Sequence, residues 1–350
     1  MVTIAGAGLA LPPTASQDDL WAGYFDRHYT GAANGLAKRI FANSGVTTRH
    51  AAVSPLLEDV SAWSTERRMR RYLTEALPLG KEAVSRALAD AGLAPAEVGL
   101  LVVCSCTGYV TPGLDILLAR DLALPADMQR LFVGHMGCYA ALPGLGVASD
   151  FVNARGRPAV LLCAELTGLH LQPSTVDTQQ IVAHALFSDA VAAVVLTPDG
   201  RPGYAVHEIT SVTDTATAEH MTWDVTDMGF RMGLSPKVPQ VLSQHVAKLV
   251  AGLLDRHDLA LPEVDGWAVH PGGPRILTVV EKELGLPPEA LAESRATLAA
   301  HGNCSSPTVL LILDELRRRP VPPRTVVMLA FGPGLTLYAA LLGWTAGGGA

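Results

Sequence analysis

Positive charge is scarce in this chain: 26 Lys and Arg stand against 33 Asp and Glu, for a net charge of −7. The basic residues form no long stripe, which argues against a nucleic-acid footprint. Two short basic runs, Arg67-Arg68-Met69-Arg70-Arg71 and Arg317–Arg319, read as solvated helix ends. Cysteine is also sparse: Cys104, Cys106, Cys138, Cys163 and Cys304 are the whole complement. An odd count among apolar neighbours, behind an N-terminus without a secretory signal, points to free thiols in a reducing cytoplasm. That N-terminus, MVTIAGAGLALPP, lacks a basic n-region and reads as a strand and a turn. Only 17% of residues are charged and 49% are apolar, a balance that excludes disorder over most of the length. One apolar run, 326–344 (VVMLAFGPGLTLYAALLGW), is long enough to span a bilayer. Gly332-Pro333-Gly334 interrupts it, so a buried hairpin is expected instead of a membrane helix.

What is present is an alternation of strand and helix patterns over 350 residues, which predicts a layered α/β protein. Apolar runs place buried strands at 99–106, 159–164, 190–197, 266–270 and 326–331. Amphipathic spacing places helices at about 81–91, 238–256 and 307–319. Two stretches repeat one plan. The strand LLVVCSC, a loop with Thr111-Pro112-Gly113, a helix at 114–122, the turn HMGC with a second helix, and the strand RPAVLLCAEL form the first. GWAVH, the turn PGGP, a helix from Arg275, the turn HGN with another helix, and RTVVMLAF form the second. The pattern predicts two duplicated halves, 1–200 and 201–350, divided near PDGRPG. Gly137-Cys138 and Gly302-Asn303 then occupy equivalent places.

Three residues of that frame carry chemistry. Cys138 follows a glycine at a helix start, where the helix dipole and free amides favour a thiolate and can donate to an oxyanion. Such a cysteine can hold an acyl group as a thioester; a small buried hydrophobe is its bland alternative. His270 ends a strand before Pro271-Gly272-Gly273-Pro274, a rigid exit that fixes a side chain at the carboxyl end of a sheet; a satisfied core histidine is the alternative. Asn303 precedes Cys304-Ser305-Ser306-Pro307, in which Ser306 reads as the N-cap and Pro307 as the first helical residue. Its alternative is a turn residue of positive φ or a second cap. Together, His and Asn donors beside a thioester-forming Cys suit decarboxylative condensation, which needs no metal or redox cofactor.

GCYAALPGL around Cys138, WAVHPGGPRIL around His270, HGNCSSPTVLLILDEL around Asn303 and FGPGLTL at 331–337 resemble the signature segments of the chalcone/stilbene synthase superfamily, the type III polyketide synthases. The agreement runs from about residue 35 to the C-terminus. The resemblance implies a thiolase-like αβαβα layered fold and a homodimer with a complete active site in each subunit. A starter acyl-CoA would be loaded on Cys138, and malonyl-CoA decarboxylated with help from His270 and Asn303. No acyl carrier protein is obligatory. It makes Phe187 and Phe230 gatekeepers and puts Cys106, Thr167, His170, Met221 and Ser305 on the cavity wall. Glu165 resembles a buried glutamate of a hydrogen-bond network, and Arg39, with Lys38, lies near the segment that meets CoA phosphates. Departures from the plant pattern are Cys106 and His170 in place of threonines, Met221 in place of a glycine, Thr111 in place of a methionine, and Ala330 in place of a loop glycine. They point away from flavonoids and stilbenes, toward a bacterial-type synthase of pyrones or small phenolics. The family pattern also suggests a cis bond at Thr111–Pro112.

Two other enzyme or binding classes, and a silent homologue, compete. A β-ketoacyl-ACP synthase III shares the Cys-His-Asn logic but performs one condensation from a carrier protein. A zinc module would use Cys104, Cys106, His135 and Cys138 as tetrahedral ligands. A catalytically silent structural homologue would keep the fold alone.

Overall fold

Residues 1–198 and 200–346 are described in the computed structural model. Strands β1 (Thr3–Ala10), β2 (Thr14–Ser16), β3 (Thr48–His50), β4 (Leu100–Cys104), β5 (Gln129–Val133), β6 (Ala159–Leu166) and β7 (Asp189–Thr197) belong to the first half of the chain. Strands β8 (Gly203–Thr213), β9 (Met221–Thr226), β10 (Gly229–Leu234), β11 (Gly266–Val269), β12 (Thr325–Gly332) and β13 (Thr336–Thr345) belong to the second. Nine of them run in the order β11-β12-β13-β8-β1-β7-β6-β4-β5, while β2-β3 and β9-β10 form two small ribbons. The order β1-β7-β6-β4 is repeated as β8-β13-β12-β11. In both, the last pair is parallel and the other two are antiparallel. The repeats are stitched by a short β1–β8 ladder, Thr3↔Ala205 and Ile4↔Tyr204.

Alternation along buried strands sorts the core into layers. On β6, Val160, Leu162 and Ala164 face a cluster with Ala76, Ala83 and Leu88 of the outer helix Thr65–Asp90. Ala159, Leu161 and Cys163 face the opposite way, onto the central helices Ala141–Arg155 and Pro307–Arg317. On β12, Val326, Met328 and Ala330 meet those same central helices, and Val327, Leu329 and Phe331 meet the outer helices Val238–Asp255 and Pro274–Leu284. The result is the thiolase-like αβαβα arrangement. A fully buried aliphatic side chain in it contributes about 1.5–3 kcal/mol. Close approach of β1 to the outer helix depends on Gly6 and Gly8, where a Cβ would come within 2.4 Å of Ala87 O and 2.1 Å of Ala83 O.

The run 326–344 is a hairpin, with Gly332 opposite Thr336, and no helix among the described residues is long and apolar enough to cross a membrane. Thr111–Pro112 is cis. Two expectations need correction. The helix placed at 81–91 begins at Thr65 and passes through Pro78. Helical periodicity therefore puts Arg68 on the inner face with Tyr72, so the basic run is not all solvated. Arg68 is fully buried and donates to the carbonyls of Ser61, Trp63, Leu169 and Leu171. Ser306 does stand at the N-cap position with Pro307 first in the helix, but its φ and ψ are helical and it makes no capping bond; its hydroxyl goes to Glu165 instead.

Candidate active site

Cys138 sits on a single 3-10 turn, Gly137–Tyr139, ahead of the helix Ala141–Arg155. Gly137 has φ 69°, a positive φ that turns the chain from the end of β5 into that 3-10 turn. His270 follows β11, and its N–H extends the parallel ladder to Leu329 O at 2.8 Å. Asn303 is held in a strand-like bridge: its N–H donates to Leu186 O (2.8 Å) and its carbonyl accepts from Ser188 N (2.9 Å). The left-handed residues beside it are Gly302 (φ 72°) and Ser305 (φ 57°), not Asn303 itself. Asn303 Oδ1 accepts from Ser305 N at 2.8 Å, an orientation that leaves Nδ2 as a donor.

All three side chains open into one cavity of about 730 Å³. Burial governs their titration. Burial pushes the Cys138 thiol up to about 12; Ser305, Asn303 and its own N–H oppose the rise and Glu165 adds to it. The dipole of a helix start was expected to favour a thiolate, but loss of hydration outweighs it here. Burial likewise takes His270 down to about 3, so its imidazole is neutral. The ring is completely buried against Phe331 and neither nitrogen has a hydrogen-bond partner.

Behind the thiol, Glu165 is fully buried. It accepts from Cys106 N (3.1 Å to each oxygen), Thr107 Oγ1 (2.7 Å) and Ser306 Oγ (3.1 Å). Burial raises its pKa to about 7 against the pull of those donors. Cys106 Sγ lies 4.0 Å from Ser305 Oγ, closing this cluster under the site.

Two family models cover nearly the whole chain: the chalcone and stilbene synthase N-terminal domain matches residues 3–200 and the C-terminal domain matches 205–344. A 1,3,6,8-tetrahydroxynaphthalene synthase of Streptomyces peucetius subsp. caesius is 36% identical over 357 residues, covering 98% of this chain and 93% of the relative. The alpha-pyrone synthesis polyketide synthase-like Pks18 of Mycobacterium tuberculosis is 31% identical, covering 87% of this chain and 81% of the relative. The crystal structure of the Streptomyces coelicolor 1,3,6,8-tetrahydroxynaphthalene synthase superposes with a TM-score of 0.91 at 27% identity, covering 98% of this chain and 99% of that one. The type III polyketide synthase domain of Dictyostelium Steely1 gives 0.93, also at 27% identity, covering 98% of this chain and 99% of that one. This chain belongs to the chalcone and stilbene synthase family. It is a type III polyketide synthase, a condensing transferase.

The synthase does not bring all the expected residues into one wall. Phe187 and Met221 share the main cavity with Cys138, His270 and Asn303. Phe230, Thr167 and His170 instead line a second chamber of about 70 Å³, which Phe187 also borders. Phe230 is stacked on His170 at 4.5 Å, which draws it away from the triad cavity. His170 is a neutral strut: Nε2 donates to Thr107 O (2.7 Å), Nδ1 accepts from Phe230 N (2.9 Å), and burial lowers it to about 3. Thr167 Oγ1 donates to Ser188 O at 2.7 Å. Lys38 and Arg39 are exposed and line neither space, although Ile40 and Asn43 of the same segment do line the main cavity. The cation on that cavity's wall is Arg275, on the first turn of the helix Pro274–Leu284.

Trp223 was missed. Its Nε1 donates to Cys106 O at 2.8 Å and its ring leans on His170, Phe187 and Phe230. Its separation of two from Met221 on β9 was the available signal, since such residues share a strand face. The zinc reading finds no support: Cys104 is buried beside Ala140 O, His135 is exposed, and no three metal-capable ligands gather among the described residues.

Proposed function

We propose that this synthase loads a starter acyl group from CoA onto Cys138 and extends it with malonyl-CoA, releasing a pyrone or small phenolic. The observation that carries the mechanism is His270: a wholly buried imidazole with both nitrogens unpartnered, facing the cavity it shares with Cys138 and Asn303. Unpartnered buried groups are costly, so this ring is poised for a ligand. In loading, the free nitrogen of neutral His270 takes the thiol proton as sulfur attacks the thioester carbon, then returns it to the departing CoA sulfur. Cleavage of the C–C bond to the malonyl carboxylate releases CO2 and leaves its electron pair as an enolate, whose oxygen accepts from the imidazole N–H and from Asn303 Nδ2. The enolate carbon attacks the Cys138 thioester, the cysteine leaves as a thiolate, and the β-ketoacyl-CoA formed reloads on it, releasing free CoA, before another extension. The Met221 wall, and the names of the pyrone and tetrahydroxynaphthalene synthases it resembles, support a small product.

The roles divide between halves at 1–200, with the nucleophile, and 201–350, with the His and Asn; the two family matches, at 3–200 and 205–344, support that division, and Asp199 near the boundary lies outside the described residues. A cytoplasmic homodimer completes the proposal. Its support is the exposed edge strand β5 with Leu131 and Phe132, beside exposed Tyr109, and the five free thiols. Mass spectrometry of intact protein tests the mechanism. Wild type and Asn303→Ala are expected to gain acyl mass on Cys138 from acyl-CoA. Asn303→Ala should lose malonyl-CoA decarboxylation by about 100- to 1,000-fold. Acyl mass appearing elsewhere on Cys138→Ala at the same rate would refute it. Strict dependence on malonyl-ACP over malonyl-CoA would favour the β-ketoacyl-ACP synthase III alternative.

A further inference from the structure

Asn303 lies two residues beyond His301, the last residue of the helix Ala292–His301. His301 and His50, the last residue of β3, are both half-buried, and their rings stack with centres 5.2 Å apart at 20°. His50 Nε2 lies 2.9 Å from His301 Nδ1, and His50 Nδ1 lies 2.8 Å from the carbonyl of Pro12. A carbonyl only accepts, so His50 carries its proton on Nδ1 and presents Nε2 as an acceptor. His301 Nδ1 then donates to it. Burial lowers both pKa values, that of His301 to about 4 with His50 adding to the fall, so both rings are neutral near pH 7.

Hydrogen bonds around the pair close a ring. His50 N donates to Ser188 Oγ (2.8 Å), and that hydroxyl donates to His50 O (3.2 Å). Ser188 N donates to Asn303 O (2.9 Å), and the chain returns from Asn303 through Gly302 to His301. Thr47 N donates to Ala299 O (2.8 Å) and Thr48 Oγ1 to Ala300 O, so the β3 segment is fastened to the same helix end. Gly302, at φ 72°, is the permissive link between His301 and Asn303. Asn303 must therefore be held from outside its own chain segment, and the imidazole pair supplies the side-chain link of the ring. Charged residues of the packed elements are engaged elsewhere: Glu293 with Arg319, Arg295 with Glu281, Arg49 with the carbonyls of His184 and Phe187, and Asp189 with Ala52 N and Gly168 N.

We propose that the His50–His301 hydrogen bond positions Asn303, holding its backbone so that Nδ2 meets the enolate oxygen when malonyl-CoA loses CO2. The proposal rests on the role given to Asn303 above. Neither imidazole lines the cavity of the triad, so both act through Asn303 as positioning residues. Cys138 and His270 stand outside the ring. Breaking the pair should therefore slow decarboxylation and spare acyl loading.

The test measures CO2 release from malonyl-CoA and acyl loading of Cys138 from acetyl-CoA as separate rates on the full-length protein. Wild type is compared with His301→Phe, His50→Phe, the double Phe variant and His301→Asn. Phenylalanine keeps a ring and removes the hydrogen bond. His301→Phe should release CO2 about tenfold more slowly while loading stays at the wild-type rate. The side-chain amide nitrogen of His301→Asn takes the place of Nδ1, so this variant should recover most of the lost decarboxylation. The double variant should be no slower than the slower single one, because both substitutions break one bond. If His301→Phe does not fold, His50→Phe makes the same comparison. Equal falls in both rates, a loss that His301→Asn does not recover, or unchanged CO2 release in both single Phe variants overturns the proposal. Asn303→Ala is run beside them: CO2 release from it at the wild-type rate would refute the role of Asn303 itself, whereas its loss beside an unaffected His301→Phe refutes the positioning alone.

Discussion

Replacing Glu165 by Gln should change how stability depends on pH. Glutamine keeps the shape of the side chain and a carbonyl acceptor for Cys106 N, but it cannot titrate. In the folded protein the Glu165 carboxyl has a pKa of about 7, against 4.5 for the ordinary group. The folded state therefore favours the protonated form. Its contribution is fully present below pH 4.5 and is lost as pH rises through 7. The gap between 4.5 and about 7 corresponds to about 3 kcal/mol. Asp189 is raised in the same direction, to about 6, but it is present in both proteins and cancels in the difference. Unfolding by urea is measured for wild type and Glu165→Gln at intervals from pH 4.5 to 8. The stability of the variant relative to wild type should grow with pH by about 3 kcal/mol, most of it between 5 and 7. A flat difference, or one that falls with pH, would show that the donors around the carboxylate outweigh its burial.

Met221→Gly opens the wall of the main cavity, so the ratio of kcat/KM for octanoyl-CoA over acetyl-CoA should rise several-fold; an unchanged ratio removes Met221 as a size filter. Arg275→Ala should raise KM for malonyl-CoA about tenfold and leave the malonyl N-acetylcysteamine thioester unaffected, because only the former carries phosphates to meet an exposed guanidinium at the cavity wall. Gly302→Ala places a Cβ 2.9 Å from Leu186 O at φ 72°. A loss of about 1–3 kcal/mol in denaturant unfolding is expected, together with weaker decarboxylation as Asn303 shifts.

The layers were legible because β6, β7 and β12 are buried on both faces and so read as unbroken apolar runs. The repeat of strand and glycine turn located Cys138, His270 and Asn303 as a set, although each alone fitted a bland role. Charge was harder to place. Arg68 looked like one member of a solvated run, and Arg49 carried no signal; both are buried by partners more than 100 residues away in sequence, such as Leu169 and His184. The state of the Cys138 thiol was misjudged for a related reason. A helix start is visible in sequence, but the desolvation that outweighs it comes from the whole enclosure. Phe230 was placed beside the triad cavity, whereas its stack on His170, a contact across 60 residues, settles its chamber.

The short β1–β8 ladder bears on the order of events during synthesis. The first half leaves the ribosome with its thiol in place, but the wall opposite that thiol is written in codons still to be read. Until Gly203–Thr213 docks and brings β11 and Asn303 behind it, the cavity around Cys138 lacks its second wall. Enclosure of the thiol thus waits on residues from both halves, and a chain cut after Thr197 would carry Cys138 without the His270, Asn303 and Phe331 side of its cavity.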